Sequence, residues 1–145
     1  MISRRTPDKA KAKSMVFAAE LDMDFISGLP IAAKSAQSII RGIYENFRIL
    51  GDALLTAQGF KTAGIDHHTQ MIDALIKLDI KTTRPLLLLK ELKKIRHQIN
   101  YNGYVPTEND VKYVIELKEA FWADILSVVK KQIESKPTQT LPSLS

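Results

Sequence analysis

Apolar residues in this sequence recur at intervals of three and four positions, and this spacing limits the possible folds more than any other feature. The clearest run has steps of four, three, four, three and four and comprises Ala36, Ile40, Ile43, Phe47, Leu50 and Leu54. Such a seam is typical of a helix that packs in a bundle. Gly42 and Gly51 interrupt the helix, which indicates that neighbouring helices approach it closely. Since no alternating run bounded by Asn-Gly or Asp-Gly indicates a strand, the pattern predicts an all-α fold.

The periodic segments predict one domain, an up-and-down bundle of about five helices. Their expected positions are about Pro7–Ser27, a second helix through the seam to Gln58, Ile65–Leu78, Pro85–Tyr101 and Thr107–Ile133. Pro7 and Pro85 suit first helical turns. Asn102-Gly103 supplies a left-handed stop. Thr107, with Asp110 three positions later, predicts a capping box.

One stripe of each helix is predicted to face the core. Outside the seam, the predicted residues are Ala12, Val16, Ala19, Met23 and Ile26 in the first helix, His68, Ile72, Leu75 and Ile76 in the third, Leu88, Leu92, Ile95 and Ile99 in the fourth, and Val111, Val114, Phe121, Ile125 and Val128 in the fifth. The bundle is expected over residues 1–135. Residues 136–145 have no periodicity, so a flexible C-terminal tail is expected there.

Composition and motifs exclude several classes of protein. The chain has no cysteine, which excludes disulfides, thiolate metal sites and a cysteine nucleophile. Its longest apolar run, from Pro85 to Leu89, is far shorter than the roughly 20 residues of a membrane span. No segment of signal-peptide type follows the N-terminal residues, so a cytoplasmic protein is expected. No glycine-rich phosphate loop or nucleophile elbow is present, and no cofactor is predicted.

Positive charge is concentrated in two stretches, although the formal net charge is only +5. Residues 1–13 carry five basic side chains against Asp8 alone, and residues 84–97 carry Arg84, Lys90, Lys93, Lys94 and Arg96 against Glu91 alone. Two basic clusters suit a polyanionic partner such as RNA or a nucleotide. A solvated helix face accounts for the same charges equally well.

The adjacent histidines His67 and His68 are the residues to weigh for a metal site. On a helix they point about 100° apart, so they cannot both bind one metal ion. One of them with Asp66 or Asp73 is the alternative, but surface or helix-start histidines are the simpler interpretation. No metal site is therefore predicted.

The end of the fourth helix carries an unusual polar cluster. The segment from Lys93 to Tyr104 reads KKIRHQINYNGY. Ile95 and Ile99 are expected to hold the helix to the core, whereas Arg96 and Asn100 share a face because they are four positions apart. The alternative interpretation is a cation that interacts with the helix dipole beside a polar cap.

This segment resembles the signature of HEPN domains, in which an arginine is followed after four to six residues by a histidine. The run from Ser35 to Arg48 is similar to the long second helix of that family. Segments 58–80 and 109–129 are similar to its middle portion and its closing helix. The resemblance covers roughly residues 9–133, and its specific part is the motif that starts at Arg96. Tyr101 stands where the family usually has histidine.

The resemblance implies a homodimer that cleaves RNA without a metal ion. In that arrangement Arg96 stabilises phosphate charge, Asn100 orients the site and Tyr101 occupies the histidine position. Lys93, Lys94 and His97 are the implied contacts for RNA or nucleotide. A tyrosine has a pKa of about 10 and is a poor base at neutral pH, so the implied ribonuclease is a degenerate one.

Some HEPN proteins form a toxin–antitoxin pair with a minimal nucleotidyltransferase, which modifies a tyrosine shortly after the motif. Tyr104 has a comparable position and is the implied modification site. The leading expectation is a HEPN-like protein that acts with such a partner. The alternatives are a non-catalytic helical module that binds RNA or nucleotide, and a purely structural bundle.

Overall fold

A computed structural model of the chain describes residues 2–64 and 66–135, so the predicted tail at 136–145 lies outside the described residues. The helices are α1 (Lys9–Ser27), α2 (Ala33–Gln58), α3 (His67–Ile76), α4 (Leu89–Tyr101) and α5 (Glu108–Glu134). The predicted all-α bundle of five helices is confirmed. Within the described ranges, no helix has both the length and the apolar character that crossing a membrane requires.

The central helix is α2, which contacts each of the other four helices. All residues of its predicted seam are buried, and Phe47 is completely inaccessible. The Phe47 ring meets the Trp122 ring of α5 edge-on, with centroids 5.2 Å apart. The buried Asn46 donates a hydrogen bond to the Asp22 carboxylate of α1 at 2.9 Å, which satisfies its amide group.

Two glycines of α2 permit its close contacts with α1 and α3, as predicted. A Cβ atom at position 51 would lie 2.0 Å from the Met71 carbonyl oxygen of α3, and one at position 42 would lie 2.1 Å from Ile26 Cδ1 of α1. Both distances are far inside van der Waals contact. The absence of a side chain at these two positions therefore brings the helices together.

Both prolines predicted to occupy first helical turns lie before their helices, so these predictions were wrong. The N-cap of α1 is Asp8, whose side chain accepts a hydrogen bond from the Lys11 amide at 2.9 Å and so defines the start. Pro85 has an extended ψ of 132° and precedes a 3₁₀ helix over Leu86–Leu88, after which α4 begins.

The predicted end of α4 and start of α5 are confirmed. Gly103 has a left-handed φ of 65° just after α4. At the start of α5, the Thr107 amide donates to Asp110 Oδ2 at 2.8 Å, and the Asp110 amide donates to Thr107 Oγ1 at 3.2 Å. This reciprocal pair is the predicted capping box.

Most predicted core residues are buried, but the buried stripes of α3, α4 and α5 are shifted by one or more positions from the prediction. In α3, Met71 is buried with Ile72 and Leu75, whereas His68 and Ile76 are only partly buried. Leu89 is buried in α4, while Leu88 and Ile95 are only partly buried, because the helix begins after the 3₁₀ helix. In α5, Val129 is buried instead of Val128. Five helical turns of 3.6 residues comprise about 18 residues, so the side chain that many positions after Val111 points in the same direction as Val111. That residue is Val129.

A short antiparallel ribbon contradicts the prediction that the chain has no strand. Strand β1 (Ile2–Arg4) pairs with β2 (Phe60–Thr62), with Arg4 opposite Phe60. Three residues are too few to show an alternating pattern, and the partner strand is distant in the sequence. Arg5 extends this connection, since its amide donates to the Gly59 carbonyl at 2.8 Å.

Candidate functional site

The polar face of α4 lies beside α2 and α3. Leu89, Leu92 and Ile99 turn inward and anchor the helix. The positively charged residues extend round the rest of the helix. Arg96 is half-buried beside Tyr44 of α2 and Lys93 is half-buried beside Thr69 of α3, while Lys90, Lys94 and His97 are more exposed. We call these five residues, Lys90, Lys93, Lys94, Arg96 and His97, the α4 basic surface.

Arg96 is held by an aromatic ring rather than by a carboxylate. Its guanidinium carbon lies 5.2 Å from the ring centroid of Tyr44, a buried residue of α2. Burial raises the pKa of Tyr44, although the positive charges of Arg96 and Arg48 act in the opposite direction. The ring is therefore a neutral phenol at pH 7, and its face attracts the cation.

The guanidinium of Arg96 retains its hydrogen-bonding capacity. Among residues 2–64 and 66–135 it makes no hydrogen bond or ion pair. Over the same residues, the buried side-chain nitrogen without a partner is Arg5 Nε, so the nitrogens of Arg96 stay in contact with solvent. Arg96 thus presents positioned, unpaired donors.

A second arginine nearby is fully engaged. Arg48 Nε donates to Glu45 Oε2 at 3.0 Å, its Nη2 also pairs with Glu45, and its Nη1 lies 3.1 Å from Met71 Sδ. Hydrogen bonding from Arg48 lowers the pKa of Glu45, and the same bond raises the pKa of Arg48. Both carboxylate oxygens of Glu45 accept hydrogen bonds from Arg48, and the positive charge of Arg96 acts on Glu45 only from a distance and lowers its pKa further.

His68 completes this cluster from α3. Burial lowers the pKa of His68, and the positive charges of Arg48, His67 and Arg96 lower it further, while Glu45 opposes them. The imidazole is accordingly neutral at pH 7. We call Tyr44, Glu45, Arg48, His68 and Arg96 the arginine cluster.

We expect the imidazole of His68 to titrate with a midpoint below 6.5 when followed by NMR. Arg48→Gln removes a positive charge and is expected to raise this midpoint, whereas Glu45→Gln removes the opposing negative charge and is expected to lower it. Because the two variants are expected to shift the midpoint in opposite directions, a general loss of structure at the site cannot account for both results. A wild-type midpoint above 6.5, or shifts in the same direction for both variants, contradicts the electrostatic coupling.

An open groove of about 520 Å³ lies between α3 and α4. The side chains that line it are Thr69, Ile72 and Asp73 from α3, and Lys90, Lys93, Lys94, His97, Gln98 and Asn102 from α4 and its C-cap. Its three lysines face one carboxylate, so the groove is positively charged. Lys93 also donates to the Thr69 hydroxyl, which fixes this lysine at the groove wall. The volume lies within the range of about 300–1,000 Å³ that is typical of small-ligand sites.

The residues predicted from the HEPN-like motif are divided between different surroundings. Lys93, Lys94 and His97 line the groove together. Asn100 accepts a hydrogen bond from Arg41 Nε of α2 at 2.9 Å, so it connects two helices. Its amide still has free hydrogen-bonding capacity, because only the carbonyl oxygen takes part in this bond.

The two tyrosines lie outside both the groove and the arginine cluster. Tyr101 is 69% exposed, and its ring lies 4.7 Å from the His97 ring. Five helical positions separate it from Arg96, a rotation of about 140°, so the two side chains do not meet within one chain. The Tyr104 hydroxyl donates to Asp110, and this hydrogen bond raises the pKa of Tyr104.

Four residues of the arginine cluster were not predicted as site residues: Tyr44, Glu45, Arg48 and His68. The sequence could have predicted one pair, because Glu45 and Arg48 are three positions apart on a helix and oppositely charged residues at this spacing interact. Their meeting with Arg96 depends on how α2, α3 and α4 pack, and no local pattern records it.

The composition of the site does not provide a metal centre. Across the described residues, no group of three His, Cys, Asp or Glu side chains is close enough together to hold a metal ion. Comparison with known proteins adds no ligand: no protein-family model, curated protein or solved structure matches the chain.

Proposed function

We propose that this protein is a HEPN-like helical module that binds RNA or a nucleotide through phosphate groups on the α4 basic surface. The observation that carries the proposal is the half-buried guanidinium of Arg96, which is held over Tyr44 at 5.2 Å with its hydrogen-bond donors unpaired. A planar fork of donors fixed in one orientation is suited to bind phosphate with two hydrogen bonds.

The charges around Arg96 support the same ligand. Lys90, Lys93 and Lys94 line the groove between α3 and α4, in which Asp73 is the single carboxylate. Arg96 does not line this groove, but it is three positions from Lys93 on the same helix. Lysine ammonium groups attract phosphates as point charges and release condensed counterions from a nucleic acid. Arg96 would therefore orient a bound phosphate group through hydrogen bonds, and the lysines would attract the ligand from a distance.

Metal-independent RNA cleavage is the second candidate function, and His68 is the observation in its favour. Tyr101 faces away from Arg96, but His68 belongs to the same cluster as Arg96 and its lowered pKa keeps it neutral at pH 7. A neutral imidazole beside a phosphate-binding arginine can accept a proton from an attacking hydroxyl. In this candidate His68, not Tyr101, is the proton acceptor.

We expect Arg96→Ala to weaken the binding of a fluorescently labelled single-stranded RNA about 10-fold or more. Hydrogen bonds to charged groups contribute about 1.5–3 kcal/mol, and about 1.4 kcal/mol corresponds to a factor of ten. Fluorescence anisotropy measures the affinity over a series of salt concentrations. For the wild type, the logarithm of the affinity is expected to fall linearly with the logarithm of salt concentration.

Lys112→Ala is the matched control, because it removes one positive charge from an exposed position on α5 that belongs to neither basic cluster. It is expected to leave RNA affinity nearly unchanged. Equal affinities of wild type and Arg96→Ala would rule out the proposed site. Gel electrophoresis of the same samples measures cleavage. RNA that is cut by the wild type but not by His68→Asn would favour the second candidate function. RNA that stays intact with the wild type would support binding without cleavage.

The nucleotidyltransferase partner, the toxin–antitoxin pairing and the modification of Tyr104 stay predictions that rest on the sequence resemblance. The side chain of Tyr104 is partly exposed, and its hydroxyl is hydrogen-bonded to a carboxylate.

A further inference from the structure

Helix α1 has apolar residues on two faces. The inner face packs on α2 and α5. On the outer face, Phe17, Leu21 and Phe25 are 56%, 59% and 67% exposed. They are four positions apart, so each is rotated by only about 40° from the previous one and together they form one stripe.

Single exposed apolar residues are ordinary on protein surfaces, but a row of three large ones is not. The stripe continues towards the N-terminus of α1 through Ser14 and Ala10, which are also exposed. One half of the stripe therefore carries small side chains, and the other half carries large ones. We call these five residues, Ala10, Ser14, Phe17, Leu21 and Phe25, the α1 outer stripe.

Charge along α1 is divided in the same way as size. The half with small side chains carries Lys9, Lys11 and Lys13, and the half with large side chains carries Glu20, Asp22 and Asp24. Four of these groups have partners in the chain. Lys13 pairs with Glu134 and Glu20 with Lys130, both at 2.9 Å, Lys9 donates to the Glu134 carbonyl at 3.4 Å, and Asp22 accepts a hydrogen bond from Asn46 of α2. Lys11 and Asp24 form no ion pair among the described residues.

We infer that the α1 outer stripe binds the same stripe of a second copy of this chain in antiparallel orientation. A two-fold axis beside Phe17 brings the two Phe17 rings together and sets Leu21 opposite Ser14, and Phe25 opposite Ala10, of the second copy. Large side chains then meet small ones. The basic half of each helix also lies along the acidic half of the other, and the helix dipoles are opposed.

A parallel pairing does not fit the same residues. It would place basic halves together and large side chains against large ones, with repulsion at one end and overcrowding at the other. An isologous two-fold contact is also the commonest way in which identical chains associate. Side-chain size and charge on the α1 outer stripe are therefore both complementary to those of a second, antiparallel copy.

The inferred interface leaves the α4 basic surface free. Helix α1 packs on α2 and α5, whereas α4 packs on α2 and α3. Each copy would then keep a complete groove and arginine cluster of its own. This differs from the arrangement implied by the HEPN resemblance, in which two copies of the motif meet across the dimer.

Sedimentation equilibrium of the full chain tests the inference. The wild type is expected to approach twice its 16.3 kDa mass as concentration rises through the micromolar range. Leu21→Lys is expected to keep it monomeric over that range. Leu87→Lys is the matched control, because Leu87 is equally exposed at 58% and lies outside α1. A monomeric wild type, or a dimer unaffected by Leu21→Lys, overturns the inference.

Cysteine cross-linking gives a second measurement that does not depend on disrupting the interface. The chain has no cysteine, so single substitutions report one position each. In air, Phe17→Cys is expected to form a disulfide-linked dimer, and a mixture of Ala10→Cys and Phe25→Cys is expected to cross-link with each other. Self-linking of Phe25→Cys alone would indicate a parallel pair, and cross-linking of Leu87→Cys as efficient as that of Phe17→Cys would indicate random collision. Either result overturns the antiparallel arrangement.

Discussion

Phe47→Ala is expected to lower the free energy of unfolding by about 4 kcal/mol, since replacement of a buried phenylalanine by alanine typically costs 3–5 kcal/mol. Phe47 is fully inaccessible at the centre of α2, and its ring meets that of Trp122 in α5. The substitution removes this aromatic pair and leaves a cavity between the two helices. Urea unfolding followed by far-UV circular dichroism measures the change.

Phe47→Leu is the matched variant, because it retains an apolar side chain of intermediate volume. It is expected to lose less than half as much stability as Phe47→Ala. Equal losses for the two variants would mean that cavity volume does not determine the effect. A loss below about 1 kcal/mol for Phe47→Ala would place this residue outside a tightly packed core.

Gly51→Ala is expected to destabilise the protein by about 3 kcal/mol, the upper part of the range for overpacked cores. A Cβ atom there would lie 2.0 Å from the carbonyl oxygen of Met71 and 2.7 Å from its carbonyl carbon. Both are backbone atoms, so the whole of α3 must move to relieve the clash. Unfolding in urea gives the change in stability.

Gly42→Ala provides the comparison, because its added Cβ meets Ile26 Cδ1, the flexible end of a side chain. A change of rotamer relieves that clash, and alanine is the better helix former by about 1 kcal/mol. The expected net effect is therefore within about 1 kcal/mol of wild type. If Gly42→Ala proves as damaging as Gly51→Ala, the distinction between backbone and side-chain obstruction is wrong.

The glycine at position 51 also connects stability to the proposed site. The residue that it contacts, Met71, lies against Arg48, and His68 is on the same helix. Displacement of α3 would therefore disturb the arginine cluster and the groove wall that α3 supplies. The close α2–α3 packing is part of what positions the basic surface of α4.

Periodicity and capping residues were enough to predict most of the bundle. The apolar seam of α2, the core stripe of α1 and the capping box at Thr107 depend on residues within a few positions of one another. Local geometry of this kind is fixed by helix pitch and by hydrogen bonds near the chain itself. The predictions about Pro7 and Pro85 were wrong because α1 begins after its N-cap Asp8, and because the 3₁₀ helix Leu86–Leu88 separates Pro85 from α4.

Less of the candidate site was predictable. The basic stretch at Lys93 and Lys94 was visible in the sequence, and these side chains do line a common groove. The same stretch gave no indication that Tyr44 would hold Arg96, or that Glu45 would be occupied by Arg48. The contact between Tyr44 and Arg96 joins residues 52 positions apart and exists only when α2 and α4 are packed together. The contact between Glu45 and Arg48 is local, because the two residues are three positions apart on α2.

The sequence by itself determined where the helices form, which faces they bury and where the charge is concentrated, because each depends on spacing within a helical turn or two. Only the tertiary structure decided that Arg96 lies over Tyr44 with unpaired donors, that Lys93 reaches Thr69 at the groove wall, and that α1 leaves Phe17, Leu21 and Phe25 uncovered. The physical reason is that pairing and exposure depend on which helices become neighbours, and that choice is made by the packing of the whole core.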